Sequence, residues 1–337
     1  MTEASANHIA VLGAGSWGTA LALLLAGNGF SVTLWGRDSA RMARMAHERT
    51  NTVYLPGFPF PDSLAIEDNL QHLREQCRHY LLVVPSHAFR STLTAIKPGL
   101  EEDSILAWAS KGLESGSGKL LGQVLEEVCG SGIRSGVISG PTFAHEVAKG
   151  LPTALTVASS NEATAEIIAG WLRNNHVRVY TNGDVAGVQL GGAIKNVMAI
   201  AAGISDGLGF GANARAALIT RGLAELQRLG VAMGGQAETF MGLTGAGDLI
   251  LTCTDDSSRN RRVGLGLGKG RKLPEVLASL GQEAEGVATA RELFNLACRH
   301  GVDMPITEQV YKVLYEKLAP SEAVKALFSR EPRQENS

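Results

Sequence analysis

The chain has 337 residues, enough for about two domains. Its 31 Lys and Arg against 33 Asp and Glu leave a formal charge of −2, which excludes the basic excess that nucleic acid or an anionic membrane surface would demand. Apolar residues make up 45% and glycines number 40, so a core can be buried and the glycine share stands well above the ordinary value of roughly 7%. The four cysteines, Cys77, Cys129, Cys253 and Cys298, are scattered without a Cys-x-x-Cys pair, as expected of reduced thiols rather than a disulfide framework or a zinc site. The start carries Glu3 and only a short apolar run over residues 8–12, which does not fit a secretory leader. No stretch approaches the eighteen or so apolar residues of a membrane span. These features predict a soluble cytoplasmic protein without membrane insertion.

In chain order, short apolar β-rich runs are predicted as strands over 9–12, 31–35, 80–84, 104–109, 136–139, 153–158 and 178–180. Helical patterns lie between several of them, at 17–28, 119–128 and 163–174. Continuously apolar strands separated by helices indicate a parallel sheet covered on both faces. Beyond residue 184 the texture changes to successive helices over 185–205, 212–229, 288–300, 306–318 and 321–328. The expected organisation is therefore an α/β domain over 1–184 and a helical domain over 185–337, with the tail 331–337 disordered.

The first strand runs into Gly13-Ala14-Gly15-Ser16-Trp17-Gly18, a Gly-x-Gly-x-x-Gly in the strand–turn–helix setting that a dinucleotide requires. Gly13 permits the tight turn, Gly15 lets the backbone approach a pyrophosphate, and Gly18 lets helix and strand pack closely. The helix N-terminus offers free N–H groups and the positive end of its dipole. After the second strand stand Gly36-Arg37-Asp38, where Arg37 can pair with a ribose 2′-phosphate and tilts the choice toward NADP over NAD. A solvated loop arginine is the alternative.

Five further segments carry chemistry. Lys195 lies on the predicted helix 185–205, one turn after Gly191 and Gly192, a pair costing roughly 2 kcal/mol in helix propensity relative to alanines. Either close helix packing or a hollow for a substrate explains the pair, and the hollow makes Lys195 a candidate general base. Lys111 follows the strand at 104–109, at the carboxyl edge where doubly wound sheets bind ligands. The stretch from Gly136 to Ala144 is a strand, Gly140, and Pro141 at an expected first helical position, which makes a second helix N-terminus at that edge. Asp248, in a glycine-rich stretch over 242–250, requires a cationic partner, and a lysine is the natural one. Residues 252–262 combine hydroxyls with Arg259, Arg261 and Arg262, the materials of a phosphate clamp at a helix start. Gly264, Gly266, Gly268 and Gly270 fit none of these roles.

Taken together, these motifs resemble the bacterial-type NAD(P)-dependent glycerol-3-phosphate dehydrogenase family. Gly13–Ala20, Val84-Pro85-Ser86-His87, Ser110–Glu114 and Ser139–Ala144 carry the resemblance in the first half. Gly187–Asn196, Gly207–Gly222, Gly247-Asp248-Leu249, Ser257–Asn260 and Met304–Thr307 carry it in the second. The resemblance implies a Rossmann-type domain followed by an all-α domain, an arrangement like that of 6-phosphogluconate dehydrogenase. It also implies interconversion of sn-glycerol 3-phosphate and dihydroxyacetone phosphate, feeding glycerophospholipid synthesis. On that pattern Lys195 exchanges the proton, with Lys111 and Asp248 completing the catalytic set. Gly13, Gly15, Ser16, Trp17, Gly18, Arg37, Lys111, Ala144, Arg259 and Glu285 would contact the dinucleotide. Lys111, Gly140, Thr142, Lys195, Asp248, Ser258, Arg259 and Asn260 would contact substrate, and no metal is implied. Glu283 departs from the family's apolar residue at its position. The partner implied is a small phosphorylated molecule, and the apolar helices admit a homodimer. A related β-hydroxyacid or ketopantoate-type dehydrogenase would keep the architecture but handle a carboxylate. A non-catalytic dinucleotide sensor would keep the glycine loop without needing Lys111, Lys195 and Asp248 together.

Overall fold

The structure, a computed structural model, describes residues 7–331. Except for Glu331, the tail expected to be disordered lies outside the described residues, as do the first six residues of the start. The chain divides into two compact units, one ending at Glu114 and resuming over Lys119–Gln189, the other comprising Ser115–Gly118 and everything from Leu190. The parting falls inside a helix rather than before it, because Val188 still packs into the core of the first unit.

The first unit is built on strands β1 (His8–Leu12), β2 (Ser31–Trp35), β3 (Thr50–Asn51), β4 (Leu55–Pro59), β5 (Leu64–Glu67), β6 (His79–Leu82), β7 (Ile105–Trp108), β8 (Arg134–Ser139), β9 (Thr153–Ala158) and β10 (Val177–Asn182). Eight of these form one sheet in the order β10-β9-β8-β7-β6-β1-β2-β5, while β3 and β4 pair separately. Helices α1 (Ser16–Gly27), α2 (Ser39–Glu48), α3 (Leu70–Gln76), α4 (Ser86–Ile96), α5 (Leu121–Cys129), α6 (Ala144–Ala148) and α7 (Glu162–Leu172) connect the strands. Alternation along the strands sorts the core into two faces. Ile9 and Val11 pack with Leu21 and Leu25 of α1 and Ile168 of α7, whereas Ala10 and Leu12 join the cluster of Phe89 and Leu93 of α4 and Val124 of α5.

The expected all-parallel sheet needs one correction, because β9 pairs antiparallel to β8. The link from Ser139 to Thr153 holds only the short α6, and it returns the chain in the opposite direction beside β8 instead of carrying it across the sheet. Strands β1, β2, β6, β7 and β8 are mutually parallel, so their carboxyl ends share one edge. The chain leaves β1 to β2 on one side and returns to β6 on the other, which makes the β1/β6 gap the topological switch point where ligands of such sheets sit.

The second unit is helical: α8 (Val185–Gly207, begun in the first unit), α9 (Ala212–Ala232), α10 (Ala237–Met241), α11 (Asp248–Thr254), α12 (Arg259–Gly268), α13 (Leu273–Leu280), α14 (Glu285–His300), α15 (Pro305–Tyr315) and α16 (Pro320–Phe328). Helix α8 is long and apolar enough to cross a membrane, but 83% of its most apolar window is buried within the protein, as befits a core helix. The unassigned glycines of α12 now have a reason. A Cβ at Gly264 would collide with the Ile200 carbonyl, and one at Gly203 with the Arg261 carbonyl. Gly268 meets α8 at Ile204 and Gly207 in the same way, so two helices touch backbone to backbone over a glycine face. Gly266 is filled on its other side by Val276, and Gly270 takes a positive φ of 81° where the chain leaves α12.

Candidate active site

In the first unit the three loop glycines serve three different ends. Gly13 has φ 126°, and a Cβ there would lie 2.6 Å from the Val83 carbonyl oxygen. Gly18 has no room because a Cβ would overlap the Gly13 carbonyl, which is the close approach of α1 to β1. Gly15 is the N-cap of α1, and a Cβ there would meet nothing within 4 Å. No side chain caps this helix start, and the buried indole N–H of Trp17 has no hydrogen-bond partner. Open space before an uncapped helix start fits an anionic pyrophosphate. Ser16 opens the same first turn.

The loop is held by a residue that sequence reasoning missed. Fully buried Asn51 donates from Nδ2 to the Ala14 carbonyl at 3.2 Å and to Thr19 Oγ1 at 2.8 Å. It lies 37 residues from Ala14, and nothing local in the sequence signals the contact. At the end of β2, Arg37 is exposed, while Asp38 caps α2 by accepting from the Arg41 N–H at 3.0 Å.

Lys111 stands just past β7, where its Nζ donates to the Gly140 carbonyl at 3.2 Å, so the structure brings these two together. Gly140 takes φ 142°, and Thr142 Oγ1 donates back to its carbonyl at 3.3 Å. Pro141 is not the first helical residue as expected. The chain stays irregular through Phe143, the N-cap, and α6 starts only at Ala144. The strand-like backbone of Phe143 forces that delay, and the resulting helix is only five residues long.

In the second unit Lys195 and Asp248 meet in an ion pair, with side chains 8% and 0% exposed. Lys195 Nζ also donates to Thr252 Oγ1 at 3.0 Å, and that hydroxyl donates to the Asp248 carbonyl at 2.6 Å. Asp248 and Thr252 sit one turn apart on α11, a spacing that could have flagged Thr252 had the helix been foreseen. The glycine-rich stretch before it is one turn of π-helix over Leu243–Gly247, not a loop. The hollow expected behind Lys195 is absent at Gly191, where the Thr244 backbone fills the space and a Cβ would lie 2.7 Å from its carbonyl oxygen. Close packing explains that glycine. Lys195 and Asp248 are both buried, so the pair is largely withdrawn from solvent. Burial also pushes the neighbouring Cys253 thiol up to about 12, which keeps it protonated and inert.

The three arginines of the expected clamp divide their roles. Arg261 is buried and pairs with Asp206 and Asp256, so it braces the start of α12 rather than facing a ligand. Arg262 is exposed, and Arg259 is half-buried with a 3.4 Å contact to Gln282. Ser258 caps α12 by accepting from the Arg261 N–H at 3.2 Å. Asn260 donates to Asn196 Oδ1 at 3.0 Å and accepts from the Gly286 N–H at 3.0 Å. It thereby ties the residue after Lys195 to the start of α14, where Glu285 is the first residue. Among the described residues no cluster of His, Cys, Asp or Glu is arranged to hold a metal ion.

Models of the two halves of one family match this chain. The NAD-dependent glycerol-3-phosphate dehydrogenase N-terminus matches residues 8–165, and its C-terminus matches residues 184–325. A glycerol-3-phosphate dehydrogenase (NAD(P)+) from Pseudoalteromonas translucida is 56% identical over 330 residues, covering 98% of each chain. One from Thioalkalivibrio sulfidiphilus is 57% identical, covering 97% of this chain and 98% of the relative. The crystal structure of glycerol-3-phosphate dehydrogenase from Coxiella burnetii is similar at a TM-score of 0.94 with 46% identity, covering 96% of this chain and 99% of that one.

Proposed function

Because this chain belongs to the NAD-dependent glycerol-3-phosphate dehydrogenase family, we infer that it interconverts sn-glycerol 3-phosphate and dihydroxyacetone phosphate with NAD or NADP. The observation that carries the reading is the buried Lys195–Asp248–Thr252 cluster, which holds an ammonium away from solvent. The nicotinamide, when bound, supplies or accepts the hydride that C2 of the three-carbon phosphate gains or loses. Lys195 handles the accompanying proton. In reduction it protonates the oxygen developing charge at C2, and in oxidation it takes the hydroxyl proton. Asp248 balances the buried ammonium and fixes its direction.

Lys111 polarises the carbonyl, and Gly140 and Thr142 line the substrate side. Ser258, Arg259 and Asn260 hold the phosphate, which supplies remote binding energy for positioning C2. Gly13, Gly15, Ser16, Trp17 and Gly18 hold the pyrophosphate of the dinucleotide, with Ala144, Arg259 and Glu285 completing its contacts. Exposed Arg37 at the end of β2 supports a lean toward NADP. The reduced product feeds glycerophospholipid synthesis in the cytoplasm. Exposed apolar side chains of the helical unit, Met241 and Phe328 among them, support a second copy of the chain as partner.

The test is the absorbance at 340 nm with NADPH and dihydroxyacetone phosphate, which should fall as the protein turns over. No fall with both at saturation would overturn the reading in favour of a dinucleotide sensor. Turnover of 3-hydroxy acids in place of glycerol 3-phosphate would move the substrate to a carboxylate.

A further inference from the structure

The chain between Lys111 and α5 does something the reaction scheme leaves unused. Leu113 and Leu120 form an antiparallel bridge, and the Glu114 N–H donates to the Lys119 carbonyl at 3.0 Å, closing the neck of a small loop. Both leucines are buried. Outside the neck, Arg90 grips Glu114 through two hydrogen bonds of 2.6 and 2.9 Å and reaches Glu127 at 2.7 Å, while Lys119 pairs with Glu127 as well. The four residues inside the neck, Ser115–Gly118, belong to the helical unit although the chain on either side belongs to the α/β unit.

Two residues of α14 hold this loop. Glu292, almost wholly buried, accepts the Gly116 N–H at 3.1 Å. Arg299 donates from both terminal nitrogens to the Ser117 carbonyl at 3.3 Å. Gly116 and Gly118 take positive φ values of 85° and 69°, and a Cβ at Gly118 would crowd the Arg299 guanidinium. The loop is thus shaped for the two side chains that hold it.

We propose that Ser115–Gly118 is a positioning element for Lys111, fixed by Glu292 through the Gly116 N–H. This rests on the functional reading given above, in which Lys111 polarises the substrate carbonyl. Only Gly112 and Leu113 separate Lys111 from Glu114 at the neck, so order in the loop is passed along a very short backbone. A lysine stem is long and costly to order, and small misplacements of a positioned group carry large rate penalties. Glu292 does not need its charge for this role. It needs an oxygen where Oε1 now stands.

The experiment compares Glu292→Ala with Glu292→Gln, which keeps the accepting oxygen. Glu292→Ala should lower kcat for dihydroxyacetone phosphate reduction on the order of tenfold, while the KM for NADPH stays within about twofold. Glu292→Gln should restore most of kcat. A fall in Tm for Glu292→Ala with kcat unchanged would mean the contact is only structural and would overturn the proposal. Amide hydrogen exchange gives a readout that does not depend on turnover. Exchange across residues 111–116 should quicken in Glu292→Ala and return in Glu292→Gln, and unchanged exchange would also overturn the proposal. Failure of the wild type to turn over dihydroxyacetone phosphate would instead sink the functional reading, leaving the exchange result to judge the loop. Should Glu292→Ala not fold, Arg299→Ala releases the same loop from an exposed position and is judged by the same measurements.

Discussion

Asp248 and Glu225 are both carboxylates of the helical unit with almost no exposure, yet what faces them differs. Asp248 meets the ammonium of Lys195. Glu225, on α9, is met by N–H and O–H donors instead: the Ile306 N–H at 2.6 Å, the Thr307 N–H at 3.1 Å and Thr307 Oγ1 at 3.0 Å. Those donors are the uncapped first turn of α15, whose N-cap residue, Met304, makes no side-chain cap hydrogen bond. Glu225 supplies the cap from more than eighty residues away in the chain, and burial outweighs its donors, pushing the carboxyl up to about 7. Burial of a charge therefore does not mark a site. The partners are what differ: a lysine ammonium faces one carboxylate, and two backbone N–H groups with the Thr307 hydroxyl face the other.

The sharpest way to break this contrast is to remove the cation. Lys195→Ala should lower kcat by on the order of 10²–10⁴ through loss of acid–base catalysis. It also leaves Asp248 buried and unpaired, which should cost about 3–5 kcal/mol in stability, read by urea denaturation. Adding Asp248→Asn to Lys195→Ala should return much of that stability and none of the activity. Near wild-type kcat in Lys195→Ala would remove this lysine from the chemistry.

Glu225 should respond to pH rather than to substrate. Its carboxyl titrates near 7 in the folded chain against 4.5 as the ordinary value, so the folded state holds the proton more tightly. Stability from this group is full below about pH 4.5 and is lost as pH rises through 7, a fall of about 3 kcal/mol. His8 and His79, whose values burial lowers, give the opposite slope as pH falls. The clean measurement is therefore the difference between wild type and Glu225→Gln in denaturant unfolding at about pH 5 and about pH 8. A difference independent of pH would show that Glu225 keeps an ordinary carboxyl.

The contrast also separates what was legible in the sequence from what was not. The tight turn at Gly13 and the close helix–strand packing at Gly18 were readable because a turn and a helix start are local events. The need of Asp248 for a lysine was readable from the cost of a buried charge alone. Its helix was not, because the glycines of residues 242–247 resemble a loop and here form a π-turn leading into α11. Helix α12 was foreseen only as a helix start within residues 252–262; its body was hidden, since Gly264, Gly266 and Gly268 weigh against helix until α8 is packed against them. Strand β4 carries Pro56, Gly57 and Pro59, which no strand pattern predicts. Asn51, Glu225 and Glu292 act across 32 or more residues of chain, and periodicity carries no information at that range.

The smallest test refines the Glu225 side. Thr307 is fully buried and gives Glu225 Oε2 both its N–H and its hydroxyl. Thr307→Val keeps the N–H and nearly the same shape while deleting one of the three donors. The loss should be about 1–2 kcal/mol, from a buried acceptor deprived of a hydrogen bond. It should also move the pH at which stability falls further upward, since that hydroxyl favours the ionised carboxylate. Activity per folded molecule should stay unchanged, because nothing in this cluster exchanges a proton with substrate. Thr252→Val makes a similar deletion beside Lys195, and there the loss should appear in kcat. If both variants altered only stability, Lys195 and Glu225 would be two structural charges of the same kind, and the distinction drawn from their partners would fail.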